Sequence, residues 1–240
     1  MPAIPPRLPF LPASAKTRPD QASNPTHATV LKRLRRLLSD DPADRAARFW
    51  RWFAANEAVY RGLQTQPEAE VAHSLSVLAN HLAEYGEGLE PLFGLDAASG
   101  RHEFIVSAGG MREGFPAARA LVAAAPELPG WHVIALKPPH PSPIAITLEG
   151  RSFDPAAVQF AVVTYPDEPE AFAIRVFHAP YPPAEQDLHQ MATFLLLDML
   201  LGERAVAEDV RYISTAPLSD EVPAKVLRPL TALPGVVKAR

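Results

Sequence analysis

The residues best placed to do chemistry are Ser107-Ala108-Gly109-Gly110-Met111-Arg112, which follow an apolar run of strand length and precede a helical pattern beginning at Phe115. A strand end that turns into a helix start offers backbone amides and the positive end of the helix dipole, so a small anion suits it, with Arg112 as a clamp. The stretch lacks GxGxxG spacing and a P-loop lysine, and paired glycines equally serve a tight turn whose dihedrals other residues avoid.

A second group lies on the stretch from Asp41 to Leu63. At about 100° per residue, Phe49, Trp52, Phe53, Tyr60 and Leu63 share one stripe with Asn56 in its middle, while Trp50 and Glu57 share a flank with Arg61 beyond. An amide among aromatic rings must find partners or cost about 1–3 kcal/mol, so Asn56 either pins a backbone group or lines a pocket. Trp50 beside Glu57 and Arg61 reads as an exposed aromatic anchor for a ligand or partner, the alternative being that a second element covers it.

No metal site or cofactor is expected. His81 and Glu84 sit three apart on a helical stretch, but His73 is about 16 Å along the axis from Glu84 and cannot join them, so the eight histidines read as surface residues. There is no GxSxG elbow and no cysteine, which excludes a thiol nucleophile, thiolate metal ligands and disulfides.

The elements that must position these residues follow from periodicity and punctuation. His102 to Pro138 reads as strand, helix and strand, with the helix from Phe115 placing Leu121 and Val122 near its apolar face and Pro126, Pro129 and Gly130 ending it. The Trp131 run is apolar on both faces and is expected as an inner strand. Asp41 caps a helix with Pro42 at its first position, and a further helix follows Pro67, with Leu78 and Leu82 on its buried side. LEPLFGL and HEFIVSA form one hairpin across AASGR, and VQFAVVTY and AFAIRVFH form another. Ala184 to Leu201 is the most apolar helix, with Leu188, Met191, Ala192, Leu195, Leu196 and Met199 expected in the core. AVAEDVRYIST is the last strand. No internal repeat is evident.

Charge is distributed unevenly. Residues 1–36 carry seven Lys/Arg and one Asp, a net +6, and residues 37–240 a net −10. The acidic body is a poor partner for nucleic acid, which needs clustered Lys/Arg. Residues 1–25 hold seven prolines and no glycine, and are expected to be disordered, with PPRLPFLP as a conceivable polyproline II ligand. From Thr29 to Leu38, Leu31, Leu34 and Leu38 fall on one helical face and Lys32, Arg33, Arg35 and Arg36 around the rest, as in a docked amphipathic helix. No run is long enough for a membrane span and no signal segment is legible, so a soluble, cytoplasmic protein is expected.

FWRWFAANEAVY, HEFIVSAGGMREGFPAARALVAAAPELPGWHVIALKPP and DMLLGERAVAEDVRYI together resemble a group of uncharacterised bacterial proteins that share an FWxWFxxNE helix and an AAPELPGWxVIALKPP segment. The resemblance covers roughly residues 45–215 and carries no activity, cofactor or catalytic residue. It implies that residues 1–40 are an extension outside the shared body.

These readings predict an α+β fold: a mostly antiparallel sheet bearing the central and C-terminal helices, preceded by N-terminal helices, with a ferredoxin-like, split βαβ element. They divide the chain into a disordered tail over 1–27 and a single domain over 28–240, helical over 28–88, sheet-containing over 89–215 and irregular over 216–240. The function they favour is non-catalytic: an immunity-like or adaptor module with a protein partner. The alternative is a hydrolase or binder of a phosphorylated small molecule at Ser107–Arg112, with Trp50, Asn56 and Glu57 as further ligand-contact candidates.

Overall fold

The computed structural model describes residues 41–96 and 98–239; the proline-rich tail over 1–27 and the basic helix expected at 29–38 lie outside the described residues. The fold is α+β, with three mostly antiparallel sheets. Where the sequence reading draws one domain, the chain divides into two compact units, one ending at Ala135 and one running from Leu136 to Arg240. Among the described residues no helix is long and apolar enough to cross a membrane.

Unit 1 contains α1 (Pro42–Arg61), α2 (Glu68–Tyr85), β1 (Glu90–Asp96), β2 (Arg101–Ser107), α3 (Phe115–Ala123) and β3 (Trp131–Ala135). Asp41 caps α1, its side chain accepting from Ala43 N at 3.0 Å, with Pro42 in the first turn. The sheet order is β1-β2-β3, with β1 antiparallel and β3 parallel to β2. The inner strand is therefore β2, whose Phe104, Ile105 and Val106 are fully buried in succession, and the expectation for Trp131 is corrected: β3 lies at the sheet edge. Its two-faced apolar character belongs to a short strand whose Trp131 joins the aromatic core with Phe53 and Phe93.

Unit 2 opens with the small hairpin β4 (Ile146–Leu148) and β5 (Arg151–Phe153), so ITLEGRSF is two strands turning at Glu149-Gly150, both at positive φ. Then come β6 (Gln159–Tyr165), β7 (Glu168–His178), α4 (Gln186–Leu201), α5 (Glu203–Glu208), β8 (Tyr212–Pro217), β9 (Arg228–Pro229) and α6 (Leu233–Lys238). The main sheet has the order β8-β7-β6-β9, with β7 parallel to β8 and antiparallel to β6. Three expectations change here. The AVAE at the start of the expected last strand belongs to the helix α5. The segment after residue 216 is not irregular, because β9 is followed by a 3-10 turn over Leu230–Ala232 and by α6, which place Leu230 and Leu233, both fully buried, in the core. On α4 the buried face runs through Ala192, Thr193, Leu196, Leu197 and Leu200, leaving Met191, Phe194 and Leu195 exposed, because an almost wholly apolar helix gives no contrast from which to read its inner face.

Each unit carries the same course: two antiparallel strands, a helical crossover, and a third strand parallel to the second. The central strands β2 and β7 each lead to the following helix through seven residues, 108–114 and 179–185, whose last three form a 3-10 turn. In open sheets the carboxyl ends of such strands are where ligands commonly sit.

Candidate functional site

In unit 1 the loop after β2 and the turn after α2 enclose an open groove of about 440 Å³, lined by Gly86, Glu87, Gly88, Ala108, Met111, Glu113, Gly114 and Ala117. The local sequence explains its shape. Gly86 ends α2 in extended backbone, Gly88 turns at positive φ, and Gly109 and Gly110 take the left-handed conformation that only a residue lacking Cβ adopts cheaply. Five of the eight lining residues are glycine or alanine, so much of the wall is low. Met111 stands 63% exposed on this loop, and its thioether chain supplies an adaptable apolar surface. The two charged side chains on the lining are both carboxylates.

The structure brings Ser107, Gly109, Gly110 and Arg112 onto this loop, as the sequence pattern implies, but commits several of the amides an anion would need. Gly109 N donates to Ser107 Oγ at 3.0 Å. Met111 N bonds Ala108 O and Gly114 N bonds Met111 O, both at 3.0 Å. Phe115 N bonds Arg112 O within the 3-10 turn. Ser107 is itself buried. Glu90 Oε1 lies 4.0 Å from where a Cβ on Gly109 would sit, so with Glu87 and Glu113 three carboxylates stand against the one guanidinium of Arg112 and the balance is negative. A cation is better matched to them than an anion.

Trp50 is corrected from exposed anchor to core. It is 2% exposed, its indole N–H donates to Leu121 O at 2.8 Å, and its ring meets Phe49, Phe53 and Phe104 edge-on. The buried stripe of α1 runs through Ala46, Phe49, Trp50, Phe53 and Tyr60, whereas Trp52 is half-buried and packs on His81 of α2 with ring centroids 3.8 Å apart. Both flanks of α1 are covered, by different elements. Asn56 is satisfied within its own helix, donating to Trp52 O at 2.8 Å.

Glu57 accepts from the Trp131 indole and from Arg61, whose guanidinium also reaches Pro129 O at 3.1 Å and lies over the Trp131 ring. The hydrogen bonds from Trp131 and Arg61 hold the Glu57 carboxyl below its ordinary range, so it stays a carboxylate and is a poor general acid. This cluster ties the end of α1 to the start of β3. The close approach requires Gly130, at φ +81°, where a Cβ would sit 2.7 Å from Arg61 Nη1.

Unit 2 holds a polar network that the sequence reading misses, because isolated histidines give no spacing signal. His178 and His189, expected at the surface, are 3% and 5% exposed. His178 Nε2 lies 2.8 Å from Thr193 Oγ1, which accepts from Thr215 Oγ1 at 3.0 Å. Tyr181 stacks on His189 at 3.6 Å and donates to Gln186 Oε1, while Gln186 donates to Thr215 O. Burial, then the neighbouring His189, depresses His178 to about 4, so it is neutral near pH 7 and Nε2 can accept from Thr193. The pair has the elements of a base and a hydroxyl nucleophile, but Thr193 is fully buried and no substrate can meet it. Elsewhere Lys137 Nζ pairs with Asp198 Oδ2 at 2.5 Å, and the Glu203 carboxylate accepts from Lys137 N at 2.9 Å.

The His81–Glu84 pair is a loose 3.9 Å contact with Glu84 in solvent, and among the described residues no group of three or more His, Cys, Asp or Glu side chains is placed to hold a metal ion. Comparisons with protein-family models, curated proteins and solved structures find no match to this chain.

Proposed function

We propose that this protein is a non-catalytic binding module, adaptor-like or immunity-like in character, whose unit 1 groove receives a short apolar and positively charged segment of a protein partner. The observation that carries this reading is the groove itself: a concave surface of glycines and alanines beside the exposed Met111, with Glu87 and Glu113 as its charged groups. Small walls admit a side chain from outside, apolar contact supplies affinity, and the carboxylates select sign. The engagement of Glu57, His178, Lys137, Asp198 and Glu203 in internal hydrogen bonds supports a binding role over an acid–base one.

The test is an amide-shift titration of the full chain with a short leucine–lysine amphipathic peptide and its leucine–glutamate counterpart. The lysine peptide is expected to move Gly86, Gly88, Met111 and Gly114 at low salt and progressively less as salt screens the carboxylates. Equal responses to both peptides, or shifts confined to other surfaces, would overturn the reading. A parallel phosphate titration that moved Gly109 and Gly110 instead would return the loop to the anion chemistry suggested by Arg112.

A further inference from the structure

Resting on that reading of the groove, we infer that its resident occupant is the chain's own basic segment, residues 28–38, so that a partner must displace an internal ligand to bind. Two features of the described residues point to it, one of position and one of charge.

The first feature is where the chain enters unit 1. Asp41 caps α1, and one turn later the Arg45 guanidinium lies over the Tyr85 ring, 6.0 Å from its centroid. Tyr85 is the last residue of α2 and is followed directly by Gly86, Glu87 and Gly88 of the groove wall. The described chain thus begins near this end of unit 1. An extended residue spans at most about 3.3–3.6 Å, so the thirteen residues 28–40 have a reach of at most about 43–47 Å.

The second feature is complementarity. Lys32, Arg33, Arg35 and Arg36 place four positive charges within five residues, and Leu31, Leu34 and Leu38 recur at helical spacing among them. The groove offers the matching set: Glu87 and Glu113 on its lining, Glu90 beside Gly109, and apolar contact from Ala108, Met111 and Ala117. Tethering raises the effective concentration of such a segment to the millimolar range for a short linker, so contacts too weak to hold a free peptide suffice to keep this one in place. The occupancy is electrostatic in part and weakens with salt.

The chain has no cysteine, so a spin label on a single introduced cysteine reports position without competing sites. With the label on Ala28→Cys in the full-length protein, selective loss of the Gly86, Gly88, Met111 and Gly114 amide signals is expected at low salt. The loss should reverse on adding salt and in the Glu87→Lys/Glu113→Lys variant, whose remaining amide spectrum reports whether unit 1 is folded. A second, charge-reversed segment, Arg33→Glu/Arg35→Glu/Arg36→Glu, leaves every described residue untouched and should abolish the same broadening. Broadening that is uniform over unit 1, or insensitive to both charge reversals, overturns the proposal. If the leucine–lysine peptide binds the groove while the label never approaches it, the internal occupant is wrong and the binding function stands. If neither the peptide nor the segment reaches the groove, both fall.

Discussion

The two units follow one topological course and end their central strands in loops of equal length, yet they furnish those loops in opposite ways. After β2 come Gly109, Gly110 and the exposed Met111, which leave an open groove. After β7 come Pro180, Tyr181, Pro182 and Pro183, with Tyr181 stacked on His189 and His178 sealed beneath. Prolines restrict φ and remove donors, and aromatic rings fill volume, so the half-buried Tyr181 closes the space over His178 and His189 while the prolines of the loop stay exposed. The lesson is that topology supplies a position for a site, while side-chain volume decides whether anything can enter it.

The largest expected effect separates the units by their cores. All three tryptophans lie in unit 1, so indole fluorescence reports that unit alone. Trp50→Ala empties a buried aromatic position and should cost about 3–5 kcal/mol in denaturant melts followed by fluorescence, whereas Trp52→Ala should cost clearly less because its ring is half exposed. Equal losses would mean that α1 packs differently from the arrangement described.

The next effect tests the buried His178 of unit 2. The His178 pKa in the folded state is about 4, below its ordinary 6.5, so between these values the unfolded chain binds a proton that the native state does not. The contribution is fully present above about pH 6.5 and is lost as pH falls toward 4, amounting to about 3 kcal/mol. Amide exchange of β7 and α4 should show this loss, with a flattened slope in His178→Gln. A slope unchanged by the substitution would show that another group governs acid unfolding.

A smaller change probes the junction of α1 with β3. Gly130→Ala introduces a Cβ against Arg61 Nη1 at positive φ and should destabilise unit 1 by about 1–3 kcal/mol; a neutral result would show that Arg61 moves aside without loss. Met111→Ser should change stability least, by under about 0.5 kcal/mol, because the side chain is exposed. It should nonetheless weaken binding of the leucine–lysine peptide measured by titration, and an unaffected affinity would remove Met111 from the contact surface.

Much of this was legible in the residues. Asp41-Pro42, the paired glycines, the hairpin turns and the β2–α3–β3 run are local signals, and they mark the ends of the elements and place the loop 107–112 between a strand and a helix. The inner faces of uniform segments were less legible: α4 and the Trp131 strand are apolar nearly throughout, and burial there depends on what packs beside them. Trp50 failed as an exposed anchor because its charged neighbours Glu57 and Arg61 turn toward Trp131 rather than to solvent alone. Aligning the two loops at equal length gives almost no residue identity beyond Ala108 and Ala179, so the repeat of topology left no repeat of sequence.

The sequence by itself determined the α+β class, the absence of thiol chemistry and the charge contrast between the first 36 residues and the rest, because composition and short-range periodicity are properties of the chain alone. Tertiary structure alone decided that there are two units, that β2 rather than β3 is central, that Leu230 and Leu233 belong to the core, and that His178 and His189 are buried. These depend on contacts between residues far apart in the chain, and no local pattern encodes which surfaces will meet.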